Sequence, residues 1–161
     1  MKREGKTRKI AVVVASMEVE YAGKTLRGIE KEAHAQGMDV YVFNASVSTD
    51  GTLKHNIGEY NIYNLIDYSL FDGVILFANL IQSYSVYSKI IDAIRKSGIA
   101  AVSIDAEIEG FDFVGVENYR SMKEIVNHLI EYHGYTKINY VSGQDFNSDS
   151  RERLAAYCDA L

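Results

Sequence analysis

The sequence predicts an α/β protein built on an open parallel sheet flanked by helices. Three observations predict it. Short, predominantly apolar runs of three to five residues recur along the chain, rich in Val, Ile or Tyr and too short to be core helices. Longer stretches between them carry apolar residues at steps of three and four, the period of an amphipathic helix. The composition, 161 residues with 47% apolar and 24% charged, is that of an ordinary globular chain.

Taken in order, Ile10–Val14 is the first strand. Ala22, Leu26, Ile29 and Ala33 then form a helical stripe, with Gly37 where a C-cap belongs. Val40–Phe43 is the second strand, followed by a polar loop of Ser46, Ser48, Asp50 and Gly51; Ile62, Leu65 and Ile66 suggest a helix before the third strand, Val74–Ala78. Val86, Ile90, Ile91 and Ile94, closed by Gly98, give the next helix, and Ala100–Ile104 and Val114–Val116 are the fourth and fifth strands. Met122, Ile125, Val126, Leu129 and Ile130 form a helix opened by Asn118 and closed by Gly134. Ile138–Val141 reads as a sixth strand. Asp149 and Glu152, in capping-box spacing, open a last helix carrying Leu154, Ala155, Tyr157 and Leu161.

Composition limits the function. No apolar run approaches the roughly 18 residues a membrane helix needs, and the basic start leads into only a short apolar run, so neither a span nor a signal peptide is expected. A single cysteine, Cys158, excludes an intrachain disulfide and fits a reducing, cytoplasmic compartment; its place on the apolar side of the last helix predicts a packing role. The first nine residues carry +4 through Lys2, Arg3, Lys6, Arg8 and Lys9 against Glu4, which leaves −9 for the rest of a chain of net charge −5. An acidic body argues against a broad nucleic-acid surface, and the basic head reads as a solvated tail.

In an open parallel sheet, ligands bind beyond the carboxyl ends of the strands, where strand order reverses. The residues there are Ala15–Tyr21, Asn44–Ser48, Asn79–Gln82 and Asp105–Glu107. Ala15-Ser16-Met17-Glu18-Val19-Glu20 stands where a dinucleotide site needs G-x-G-x-x-G, and no G-x-x-x-x-G-K-[ST] occurs. Ala15-Ser16 and Ala78-Asn79 replace the acidic residues of a phospho-accepting receiver. His34, His55, His128 and His133 are scattered, the last two five apart rather than at the spacing that aims two imidazoles at one metal. Glu18 and Glu20 read as exposed carboxylates rather than an acid/base pair. No enzyme, metal or cofactor is expected.

Binding remains. Ser16, Asn44, Ser46, Asn79 and Asp105 supply short hydrogen-bonding side chains, and Tyr21 offers an aromatic face, a mixture suited to a sugar or small polar metabolite. The same residue types also favour turns and helix caps for local reasons.

The run Lys9-Ile-Ala-Val-Val-Val-Ala-Ser16, with Tyr21 and Leu26-Arg27-Gly28-Ile29-Glu30, resembles the opening of the periplasmic-binding-protein-like (type 1) sensor domain of lactose-repressor-type regulators. Phe71-Asp72-Gly73-Val74-Ile75-Leu76, Gly98-Ile99-Ala100-Ala101-Val102 through Asp105, Val114-Gly115-Val116-Glu117-Asn118-Tyr119, Gly134-Tyr135-Thr136-Lys137-Ile138 and Ser150-Arg151-Glu152-Arg153-Leu154 continue the likeness in the same order. The resemblance implies two flavodoxin-like lobes closing on a ligand. Residues 8–116 would be the amino-terminal ligand-binding lobe, and 117–161 the start of a carboxy-terminal lobe that is incomplete.

The resemblance also implies that Ser16, Tyr21, Asn79 and Asp105 line the cleft and that Arg151 reaches a sugar hydroxyl or anionic group, a task its fork of donors suits. An alternative for Arg151 is a surface arginine held by Asp149 or Glu152. The loop Glu18-Val19-Glu20-Tyr21-Ala22 departs from the family's Ser-Asn-Pro-Phe-Phe, so the ligand stays open. The first strand starts within ten residues of Met1, leaving no room for the family's helix-turn-helix head, so direct nucleic-acid contact by this chain is not expected. The stretch His55–Tyr63 is similar to cytoplasmic sensor domains joined to diguanylate cyclase (GGDEF) modules. Apolar faces of an incomplete second lobe imply a homodimer. The implied function is a ligand-sensing domain of a bacterial transcription regulator or signal-transduction protein, with a ligand-free interaction or dimerisation module as the alternative.

Overall fold

A computed structural model describes residues 7–47, 53–143, 145 and 147–161. Ser48, Asp50 and Gly51 of the polar loop, and Lys2, Arg3, Glu4 and Lys6 of the basic head, lie outside the described residues. The chain divides into two compact units, Met1–Val114 and Gly115–Leu161.

The first unit holds five parallel strands, β1 (Arg8–Val14), β2 (Met38–Asn44), β3 (Gly73–Phe77), β4 (Ala100–Ile104) and β5 (Asp112–Val114), in the order β2-β1-β3-β4-β5. Alternation along β1 explains the layers. Ala11, Val13 and Ala15 enter one core with Tyr60, Tyr63, Ile90 and Ile94, while Val12 and Val14 enter the other with Ala22 and Leu26. Helix α1 (Glu20–Ala35) therefore covers one face, and α3 (Tyr84–Ser97) with the segment before β3 covers the other. Both faces are apolar because both are covered. Gly37 and Gly98 take the left-handed φ of 67° and 68° that stops α1 and α3.

Between β2 and β3 the expected helix around Ile62, Leu65 and Ile66 is instead a short helix α2 (Leu53–Glu59) that tightens into 3₁₀ turns at Tyr60–Leu65 and Tyr68–Leu70. The fifth strand is Asp112–Val114 rather than Val114–Val116, because pairing fixes it: Val102 stands opposite Asp112 and Ile104 opposite Val114.

In the second unit, α4 (Asn118–Glu131) packs on α5 (Ser148–Ala160). Val126 and Ala156 are buried between polar clamps, Arg153 donating to Asn118 at 2.6 Å and Tyr119 to Asp159 at 2.6 Å. The caps differ from expectation. Glu117 accepts from the Arg120 N–H to open α4, and Asn147, not Asp149, accepts from the Ser150 N–H to open α5. The sixth strand is not formed, since the second unit offers Ile138–Val141 no strand to pair with among the described residues. Instead the Ile138 carbonyl accepts from the Tyr157 hydroxyl at 2.7 Å, and Tyr140 stacks on Tyr157. Cys158 is exposed, correcting its expected packing role: it sits two residues past buried Ala156, about 200° around the helix.

Candidate functional site

The strand order reverses at β1, which sends one connection to β2 on one side and pairs with β3 on the other. In open parallel sheets such a reversal is where ligands bind, which points to the carboxyl ends of β1 and β3 as the candidate site. Ser16, half-buried, follows β1, and Asn79, half-buried, stands in the 3₁₀ turn that follows β3.

Asp105 follows β4 and ties these ends together. Its carboxylate accepts a short hydrogen bond from the Tyr21 hydroxyl, 84 residues away in sequence, and its backbone carbonyl accepts from the Asn79 carboxamide at 2.5 Å. Its own N–H donates to the Val114 carbonyl at 3.0 Å. Tyr21 reaches it from the first turn of α1, with 45% of its surface exposed. Three of the expected residues, Tyr21, Asn79 and Asp105, are therefore in one hydrogen-bonded group.

A second group lies at the end of β2. The Asn44 carboxamide oxygen accepts from the Met17 N–H at 3.0 Å, and its nitrogen donates to the Ser46 hydroxyl at 2.8 Å. Val47 N–H donates to the Ala15 carbonyl at 2.9 Å, fastening this loop to the end of β1. Asn44 is thereby a positioning residue for the loop that begins at Ser16.

Among the described residues, the non-glycine residues with left-handed φ are Ser46 at 51° and Asp105 at 62°. Both stand immediately beyond the carboxyl edge of the same sheet. Such backbone costs about 1–2 kcal/mol for most residues, less for Asp, and persists where surroundings over-determine it, often at binding sites. Nothing in the residue pattern announced it, because Ser and Asp are ordinary loop residues.

Arg151 belongs to the second unit, on the first turn of α5, exposed, with one guanidinium nitrogen donating to the Asp145 carbonyl at 2.9 Å. That bond goes to a backbone oxygen before the helix, not to the Asp149 or Glu152 carboxylate. The imidazoles of His128 and His133, whose spacing is not that of a metal pair, meet edge to face with centroids 4.9 Å apart and stack on Tyr132 and Tyr135 respectively. No group of three or more His, Cys, Asp or Glu able to hold a metal occurs among the described residues, and no helix among them is long and apolar enough to cross a membrane.

No protein-family profile and no curated protein matches the chain. Solved structures do. The transcription regulator CcpA of Lactococcus lactis aligns with a TM-score of 0.73 and 18% identity over 97% of this chain and 54% of its own. An ABC transporter solute-binding protein from Mycobacterium smegmatis with bound glycerol aligns at 0.74 and 18% over 96% of this chain and 52% of its own. The Cra regulator from Pseudomonas putida in complex with fructose 1-phosphate aligns at 0.70 and 16%, over 97% and 54%. The fold is that of a type 1 periplasmic-binding-protein-like lobe, and the chain spans about half the length of these structures.

Proposed function

We propose that the chain is the ligand-sensing part of a bacterial transcription regulator or signal-transduction protein, and that it binds a sugar or small polar metabolite. The observation that carries this reading is the group Tyr21, Asn79 and Asp105, drawn from three elements to the switch-point edge and holding a carboxylate acceptor beside an aromatic ring. A polyhydroxy ligand matches it, since hydroxyls donate to the carboxylate while a sugar's apolar face covers the ring. The structural neighbours support the reading, because their fold recurs in regulators and in solute-binding proteins, two of them with glycerol or fructose 1-phosphate bound.

Ser16 is proposed to contribute a further hydroxyl at the end of β1, and Arg151 a charged donor to the ligand. Residues 8–116 are proposed as the ligand-binding lobe and 117–161 as the start of the next. The chain works by binding rather than catalysis, in the cytoplasm, and as a homodimer. A diguanylate cyclase (GGDEF) module in the parent protein rests on the resemblance of His55–Tyr63 alone. The second reading, a dimerisation module without ligand, draws on the exposed Phe113 and Val114 of edge strand β5.

A thermal-shift screen of pentoses, hexoses, hexose phosphates and nucleosides tests the choice. A ligand at about 100 times its Kd stabilises the folded state by about 2.7 kcal/mol. One class raising Tm in the wild type and failing in Asp105→Ala supports sensing. Indifference to every compound, with a dimer by light scattering, supports the dimerisation module.

A further inference from the structure

A cavity of about 610 Å³ lies between the 53–70 segment and α3, within the roughly 300–1,000 Å³ usual for small-molecule sites. None of Ser16, Asn44, Asn79 or Asp105 lines it, so it is separate from the strand-end cleft and independent of the function proposed for that cleft.

Its shape follows from the local backbone. Where α2 gives way to 3₁₀ turns, residues three apart eclipse, so Tyr60 and Tyr63 fall on one face and are both buried against the sheet. Tyr63 is anchored by its hydroxyl to the Val14 carbonyl at 2.9 Å. The narrow 3₁₀ turn leaves a gap to α3, whose Val86 and Lys89 form the opposite wall.

The chemistry of the lining is uneven. Among the described residues that line the cavity there is no carboxylate, and Lys89 is the single charged side chain. Lys89 has neither an ion pair nor a hydrogen bond to any described residue, although the chain as a whole carries −5. On the rim, Asn64 donates to the Asn61 carboxamide oxygen at 3.3 Å. That leaves the Asn61 NH₂ and the Asn64 oxygen as a donor and an acceptor side by side. An exposed, unpaired ammonium on the wall of a groove also lined by the buried Tyr60 and Tyr63, with a donor–acceptor edge, selects for negative charge at one end and an apolar body.

We propose that this groove binds a small organic anion, its apolar or aromatic body lying over the Tyr60 and Tyr63 floor against Val86 and its carboxylate or phosphate on Lys89.

Titration of ¹⁵N-labelled protein with benzoate, phenyl phosphate and benzyl alcohol, read by amide shifts, tests it. The expected result is saturable binding of at least one anion with a Kd of about 1 mM or tighter, with shifts confined to residues 53–70 and α3. Benzoate alone binding identifies a carboxylate ligand, and phenyl phosphate alone a phosphate. Lys89→Gln should weaken binding by about tenfold or more. Ala93→Phe, which fills the groove and keeps the lysine, should abolish it, and Asp105→Asn should leave it unchanged. No saturation by either anion at about 10 mM, benzyl alcohol binding as well as the anions, or undiminished binding in Lys89→Gln overturns the proposal.

Discussion

Alkali should unfold the first unit through its tyrosine floor. Tyr68 is only 6% exposed, and burial pushes its phenol from 10.0 up to about 12. Tyr63 is pushed up further, by burial first and then by Tyr60 and Tyr68. Tyr60 is raised by burial against the opposing effect of the Gln82 and Ser83 backbone N–H groups. A phenol whose pKa is raised on folding contributes stability that is whole below its unfolded pKa and is lost as pH rises through the folded one. Each tenfold gain in proton affinity on folding is worth about 1.4 kcal/mol, so at pH 12 the ionisation of Tyr68 alone removes about 2 kcal/mol. Tyr63 removes a comparable amount or more, and a domain holds only about 5–15 kcal/mol in total. The assay is phenolate absorbance followed together with far-ultraviolet circular dichroism from pH 8 to 13. Two classes should appear among the 12 tyrosines, the later one coinciding with loss of helix signal between about pH 11 and 12. A single class near pH 10, with the dichroism signal intact, would refute the burial argument.

Two substitutions test the packing account. Leu76→Ala removes a fully buried side chain from β3, between β1 and β4, and should cost about 3–4 kcal/mol in urea denaturation without changing the slope. Gly98→Ala meets nothing within 4 Å but must hold a φ of 68°, so strain alone should lower stability by about 1 kcal/mol.

How far the fold was legible depends on what each element's position obeys. Ile10–Val14 and Ala100–Ile104 fall within the first and fourth strands because strands covered on both faces are predominantly apolar, the buried Ser103 donating its hydroxyl to the Ala106 carbonyl. The fifth strand slipped by two residues because its place is set by hydrogen bonds to β4, a partner the local pattern does not contain. Ile138–Val141 has the residues of a strand and no partner among the described residues, and pattern alone cannot supply one. The Tyr60–Leu65 turns escaped because a stripe at steps of three and four does not distinguish α from 3₁₀ over so short a span. At the candidate site, topology could point to the ends of β1, β3 and β4. The bond from Tyr21 to Asp105 and the left-handed backbone at Ser46 and Asp105 are long-range outcomes with no local signature.

That left-handed Asp105 gives the most direct way to ask whether the strand edge is built for binding rather than for stability. Tyr21→Phe deletes the hydroxyl that donates to the carboxylate, which for a half-exposed, charge-assisted bond should cost about 1 kcal/mol. Asp105→Gly loses the same bond but relieves a φ of 62°, worth about 1 kcal/mol in the other direction. In the Tyr21→Phe background that bond is already gone, so the same glycine should cost about 1 kcal/mol less than it does in the wild type. Thermal denaturation of the four proteins reads the cycle. Strict additivity would mean the contact is idle. A glycine that stabilises in the Tyr21→Phe background would show that a left-handed residue at the carboxyl edge of the sheet is kept at the expense of stability. Local preference yields in this way where a side chain has to face something other than its own fold.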